Sequence, residues 1–252
     1  MSFEPLRAAS IGIDVKIVDS PWSSRRHGAI SLDLGAMASI PPHIVRQITI
    51  AAKAAADAHA LDGVRLCAPL RAMRPFLRGG WQFWHFGCVR RIAVGGGLTL
   101  PDGLVVSVGD VDSSDIIMGA LAESLRAGIP ICEQSWRDGF DFTRGAERWL
   151  SDFMSRGDLL VSLLEHRTIV AYGLLSVSGQ HAVLEDVSAL PGYAGRGFSE
   201  ILLERIERLA AIYGFDALRA TLMHSVPAVR RRLGQRLKAE HWSFDEAHFS
   251  LP

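Results

Sequence analysis

Two hydrophobic periods alternate along the second half of the chain. Strand-like apolar runs stand at Val105–Asp110, Leu159–Glu165, Thr168–Val177, Ala182–Ala189, Ala217–Leu222 and His241–Phe249. Between them, apolar residues recur at helical spacing over Ser113–Arg126, Thr143–Met154 and Ser199–Ala211. Ser113 or Ser114 suits the first of these helices as N-cap, and Thr143 the second. His166 and Arg167 form the turn of a hairpin, Gly214 stops a helix, and Pro227 opens a further one. The predicted order is β-α-α-β-β-β-loop-α-β-α-β.

The first hundred residues repeat part of this pattern. Ala29–Ala36 is similar in character to Ala182–Ala189, Pro42–Ala60 to the helix from Ser199, and Gly63–Cys67 to Ala217–Thr221. Pro69–Trp81 is predicted as a closing helix, and Trp81–Phe86 mirrors Trp242–Phe244. Too few residues precede Ile30 for a full set of elements. Residues 1–95 are therefore expected to be a truncated, structural copy and residues 99–252 the complete unit. The stretch from Gly95 to Gly103 supplies a glycine-rich linker. A coincidental helix–strand match is the competing reading.

The chemistry concentrates between Ala189 and Ser199. A strand there runs through Leu190-Pro-Gly-Tyr-Ala-Gly-Arg-Gly into a helix. Glycines allow close approach of the backbone, and the first helical N–H groups offer an anion site. The spacing fits neither a dinucleotide fingerprint nor a P-loop. The pattern Pro191-x-Tyr193-x-Gly195-x-Gly197 resembles the pyrophosphate loop of the GCN5-related N-acetyltransferases. Ala72, Phe76, Gly80 and Trp81 also fall on positions of that family's closing-helix motif. In the first half, Ser39-Ile-Pro-Pro-His43 replaces the loop, and its prolines remove two N–H donors.

The resemblance implies an α/β (α+β) chain with the acyl-CoA N-acyltransferase fold: a mixed, mostly antiparallel sheet flanked by helices. It implies an acyltransferase with acetyl-CoA, or another acyl-CoA, as cosubstrate and a small-molecule amine as acceptor. Ala194, Gly195, Arg196, Gly197, Phe198 and Ser199 would cradle the pyrophosphate. Val187, Ala189 and Leu190 would pair with the pantetheine arm, with an amide near Ala189 or Leu190 as oxyanion donor. Arg230 either meets the 3′-phosphate or lies on a solvated helix face. Glu185 and His181 share strand parity, so either can be the base; the alternative is that Glu185 faces solvent. Asp186 is expected on the opposite face. The family's acidic Tyr is missing from the closing helix, which leaves His224, Ser225 or solvent to protonate the thiolate. Trp136, Asp138, Phe140 and Asp141 suit a cationic acceptor or, equally, the core beneath an exposed loop. Two other activities stay open: N-acyl amino acid synthesis from a longer acyl thioester, and non-catalytic acyl-CoA binding.

Composition narrows this further. No apolar run reaches the ~18 residues of a membrane helix, and the N-terminus lacks the layout of a signal peptide. Cys67, Cys88 and Cys132 show no metal-ligand spacing and read as reduced thiols of a cytoplasmic protein, so no metal is expected. Formal net charge is +0. Residues 1–95 nevertheless carry twelve Lys/Arg against six Asp/Glu. Without a lysine run or aromatic platform, nucleic acid is not the expected partner.

Overall fold

The strand-forming runs of both halves join one sheet. The computed structural model of the chain describes residues 15–19, 26–31, 40–92, 99–109, 114–128, 141–223 and 242–251. The strands are β1 (Lys16–Asp19), β2 (Arg26–Ser31), β3 (Gly63–Pro69), β4 (Gln82–Arg91), β5 (Leu104–Val108), β6 (Leu159–Glu165), β7 (Thr168–Ser176), β8 (Ala182–Ala189), β9 (Ala217–Met223) and β10 (Trp242–Leu251). The helices are α1 (Pro42–His59), α2 (Met73–Arg78), α3 (Ser114–Gly128), α4 (Phe142–Ser155) and α5 (Phe198–Ile212). A 3-10 turn, Leu70–Ala72, precedes α2.

Strand order runs β1-β2-β3-β10-β4-β9-β8-β7-β6-β5. Its centre exchanges strands between the halves. β10, from the end of the chain, pairs antiparallel with both β3 and β4. β4, from the first half, pairs antiparallel with β9. On either side stand matching parallel pairs, β2 with β3 and β8 with β9, each joined through one helix. Outside these, β1 and β7 are again antiparallel neighbours. The order therefore reads the same outward from the β10–β4 seam for three further strands on each side, and β6 and β5 continue it in the second half only.

Helices pack where their apolar stripes point. In α1, Val45, Ile48, Ala52 and Ala55 are buried at helical spacing. Val45, Ile48 and Ala52, together with Phe76 and Trp81, cover Leu66, Ala247 and Phe249 of the sheet. In α5, Leu202, Ile206 and Ala210 cover Leu175, Leu184 and Leu218. Phe142, Ala146, Leu150 and Phe153 of α4 and Ile117 and Leu121 of α3 pack against Leu160, Tyr172 and Leu174, on the other face. Full burial of a side chain such as Phe153 contributes about 1.5–3 kcal/mol.

Local details depart from the sequence expectations at three places. Asp141, not Thr143, caps α4: its Oδ1 accepts from the Arg144 N–H at 3.0 Å. A carboxylate two residues earlier supplies the acceptor, and the helix starts at Phe142. The strand expected at Ala29–Ala36 runs instead over Arg26–Ser31, and residues 32–39 lie outside the described ones. The expected closing helix of the first half divides into the 3-10 turn and the short α2, ending at Gly79. The helix expected from Pro227 falls outside the described residues.

Candidate active site

A break in strand pairing creates the site. β8 stays paired with β7 from Ala171↔Ala189 to Ser176↔Val183. Its pairing with β9 covers three positions and ends at Leu184↔Ala220. At that point the β7–β8 register shifts: Leu175 faces Leu184, Leu174 faces Asp186, and Glu185 has no partner. This is a β-bulge, which bends its strand and increases local twist. Beyond it β8 and β9 part and leave a wedge. The matching pair in the first half, β2 and β3, stays in register from His27↔Gly63 to Ser31↔Cys67.

Backbone groups on β8 alternate between β7 and the wedge. The Leu190 N–H donates to the Val170 carbonyl at 2.9 Å, on the β7 side. Ladder alternation then turns the N–H groups of Val187 and Ala189 toward the opening. The Val187 N–H bonds the Asp186 carboxylate, and the Ala189 carbonyl accepts from Ser188 Oγ at 3.3 Å. Of the two amides expected near the thioester, Leu190's is thus engaged with β7 and Ala189's faces the wedge.

The loop after β8 needs its glycines for conformation. Gly192, Gly195 and Gly197 have φ of 89°, 82° and 81°, values that other residues adopt at a cost of about 1–2 kcal/mol. Nothing lies within 4 Å of where a Cβ would stand at any of them. Gly197 is the N-cap of α5 and no side chain caps the helix. The first α5 turn bond is Ile201 N–H to Gly197 carbonyl, 3.1 Å, so the N–H groups of Phe198 and Ser199 have no intrahelical partner. Ala194, Gly195 and Arg196 are exposed, Gly197 and Ser199 half-buried, and Phe198 buried. Arg196 donates to Glu165 Oε1 at 2.8 Å and lies over the Phe198 ring at 4.6 Å. At the corresponding helix start in the first half, Pro41 and Pro42 stand in place of donors.

The bulge also reorders the side chains. Leu184 packs on the α5 side. Asp186 accepts from the Tyr172 hydroxyl at 2.6 Å, on the α3/α4 side, and from the Ser124 side chain of α3. Glu185 lies within electrostatic reach of Arg156 and Asp158 at the end of α4. Glu185 and Asp186, expected on opposite faces, therefore both stand on the α3/α4 side, because the bulge cancels the alternation between them. Glu185 is an exposed residue, yet desolvation of its carboxyl raises its pKa; Arg156 opposes the rise and Asp158 adds to it. Burial likewise raises the Asp186 pKa, with its hydrogen bonds opposing. The fully buried Tyr172 hydroxyl is held well above its ordinary value, by burial first and Asp186 next. Sequence reasoning missed the Tyr172–Asp186–Ser124 network; a Tyr and an Asp on adjacent apolar strands were its only signal.

His181 is not brought to the wedge. It lies exposed in the turn before β8, beyond the segment that still pairs with β9. Asp141, expected to bind the acceptor, has its carboxylate at the α4 N-cap. Trp136, Asp138, Phe140, His224, Ser225 and Arg230 lie outside the described residues, as does Cys132. A cavity of about 560 Å³ is lined by Leu70, Arg71, Met73, Arg74, Phe86 and Phe244, against the central strands β4 and β10.

Residues 129–234 match the family model described as Acetyltransferase (GNAT) family. That stretch is similar to the GNAT acetyltransferases, and the chain has the acyl-CoA N-acyltransferase fold. Similar solved structures span nearly its whole length. A GCN5-related N-acetyltransferase from Sphaerobacter thermophilus is 15% identical with a TM-score of 0.57, over 95% of this chain and 75% of that one. Another from Kribbella flavida is 10% identical at TM-score 0.59, over 90% and 81%. A tandem GNAT protein from the clavulanic acid biosynthesis pathway is 10% identical at TM-score 0.54, over 99% and 84%. No curated protein matches the chain. No helix among the described residues is long and apolar enough to cross a membrane.

Proposed function

We propose that the chain transfers an acetyl group from acetyl-CoA to the amine of a small molecule by direct attack. The observation that carries this reading is the wedge at the Glu185 bulge, which leads into the Gly192–Gly197 loop. The N–H groups from Gly195 to Ser199 bind the pyrophosphate, with the α5 dipole adding favourable charge. Val187 and Ala189 hold the pantetheine arm as an added strand, and the Ala189 N–H supports the developing oxyanion. As the amine nitrogen bonds to the thioester carbonyl, the Glu185 carboxylate takes the ammonium proton, directly or through water. The C–S bond breaks, and solvent protonates the leaving thiolate. Residues 1–95 serve as a structural partner, since their helix start offers prolines where donors are needed.

The test pairs turnover with binding. The full chain is incubated with acetyl-CoA and a panel of primary amines, and free thiol release is followed. Amine-dependent release is the expected result. Calorimetry should show CoA binding in the wild type and near-complete loss in Gly197→Leu, with the fold retained by circular dichroism. Binding without turnover of any amine would leave an acyl-CoA-binding module instead. Unchanged affinity in a folded Gly197→Leu chain would remove the loop assignment.

A further inference from the structure

The sheet face that α3 and α4 cover in the second half continues across β9, β4, β10 and β3. On it, three donor side chains from the two halves meet. Cys67 of β3 and His248 of β10 are cross-strand partners, and Glu246 lies two residues along β10 on the same side. Cys67 Sγ stands 3.7 Å from His248 Nε2. Glu246 Oε2 stands 3.6 Å from the same nitrogen. All three donor atoms lie within 4.8 Å of one another.

The convergence on one atom excludes the simplest alternative. A cysteine nucleophile activated by a His–carboxylate pair needs thiol and carboxylate on opposite ring nitrogens. Here both address Nε2. Three such groups facing a common point are held there by the protons they share or by a cation that replaces them. Around a tetrahedral ion with bonds of ~2.0–2.3 Å, neighbouring donors stand roughly 3.3–3.6 Å apart, close to the separations seen.

The surroundings keep this point open. Gly87 of β4 is the cross-strand partner of Glu246. A Cβ at Gly87 would meet Glu246 Cβ at 3.0 Å, its Oε2 at 3.1 Å and His248 Nε2 at 3.5 Å. The absent side chain thus leaves a cradle beside the donors. His85, the other β4 neighbour, stacks on His248 with ring centroids 4.1 Å apart. His85 is 6% exposed, and its Nδ1 has no hydrogen-bond partner among the described residues.

We propose that Cys67, Glu246 and His248 bind one divalent transition-metal ion, zinc by ligand type, which ties β3 of the first half to β10 at the end of the chain. Thiolate and imidazole ligands favour zinc over magnesium or calcium. Burial first, and Glu246 next, push the Cys67 thiol up to about 12. Burial lowers the His248 pKa. At neutral pH the site is therefore a thiol beside a neutral imidazole. Binding forms the metal–sulfur bond and releases the thiol proton to solvent, one per ion. The wedge lies about 10 Å away across the sheet, two strand spacings from β10 to β9, so the proposal does not depend on the transfer reaction.

The reduced, chelator-stripped full chain is titrated with cobalt(II). One equivalent should bind with a thiolate-to-cobalt charge-transfer band, bleached by zinc. About one proton per ion should be released at pH 7, and either metal should raise the melting temperature. Cys67→Ser and His248→Gln should lose the band and the thermal shift, whereas Cys88→Ser should keep both. A wild-type chain with no band, or a band that survives Cys67→Ser, overturns the site. If Cys67→Ser fails to fold, the wild-type spectrum together with His248→Gln still decides.

Discussion

Asp158 is a residue where burial and hydrogen bonding compete and hydrogen bonding wins. Its side chain is fully buried at the start of β6. Oδ1 accepts from Ser176 Oγ, Val177 N–H and Ser178 N–H, and Oδ2 from Arg156 Nε at 3.1 Å. Burial alone would raise the pKa, but the hydrogen bonds hold it below 3.8. A depressed carboxyl contributes stability that is fully present above its unfolded value and is lost as pH falls through the native one. Asp158→Asn should therefore lower stability at pH 7 by about 1–3 kcal/mol and flatten the loss of stability below pH 4. Chemical denaturation across pH checks both effects. Glu185 has the opposite sign. Its raised pKa means the charged form is disfavoured where it stands, so Glu185→Gln should leave stability equal or higher. Turnover should fall by roughly 100-fold with CoA affinity nearly unchanged, and the acidic limb of the pH–rate profile should disappear. A fewfold change would move the role to water or to the amine's own equilibrium.

At the scale of the element, the bulge sets the geometry of β8. It stops the β9 ladder at Leu184, brings Glu185 and Asp186 to one side, and turns the Val187 and Ala189 amides into the wedge. Deleting Glu185 would restore plain alternation from Leu184 to the next residue and let β8 continue along β9. The deletion should abolish CoA binding in calorimetry while the sheet persists. Slowed hydrogen exchange at the Ala189 amide should accompany it. An intact, CoA-binding deletion variant would show that the loop alone holds the cosubstrate. The elements themselves were mostly readable: the β6–β7 hairpin turns at His166 and Arg167, with φ of 50° and 68°, as the break between two apolar runs suggests. The bulge was not readable, because nothing in Leu184-Glu185-Asp186 marks a skipped partner on another strand.

For the whole molecule, the exchanged strands bind the halves more closely than an interface of side chains would. Removing residues 1–95 strips β4 from between β9 and β10 and β3 from the far side of β10. Two strands would then present unpaired N–H and C=O groups and bare apolar faces such as Ala247 and Phe249. A fragment of residues 99–252 should be insoluble or melt well below the full chain, and separately expressed halves should recover activity only when refolded together. A stable, active fragment would show that the first half is merely appended.

Sequence by itself determined the local content of this protein: period-2 and period-3.6 runs, the glycine loop between strand and helix, and the repeat of strand–helix–strand in both halves. These depend on neighbours a few residues apart, which the chain displays directly. Tertiary structure alone decided that β4 and β10 change places, that Glu185 stands unpaired, and that Asp186 meets Tyr172 and Ser124. It also placed Cys67 beside Glu246 and His248, about 180 residues later, where no ligand spacing along the chain announced them. Such features depend on which strand lies next to which and in what register. A shift of one residue there reverses every side chain, and no local pattern records it.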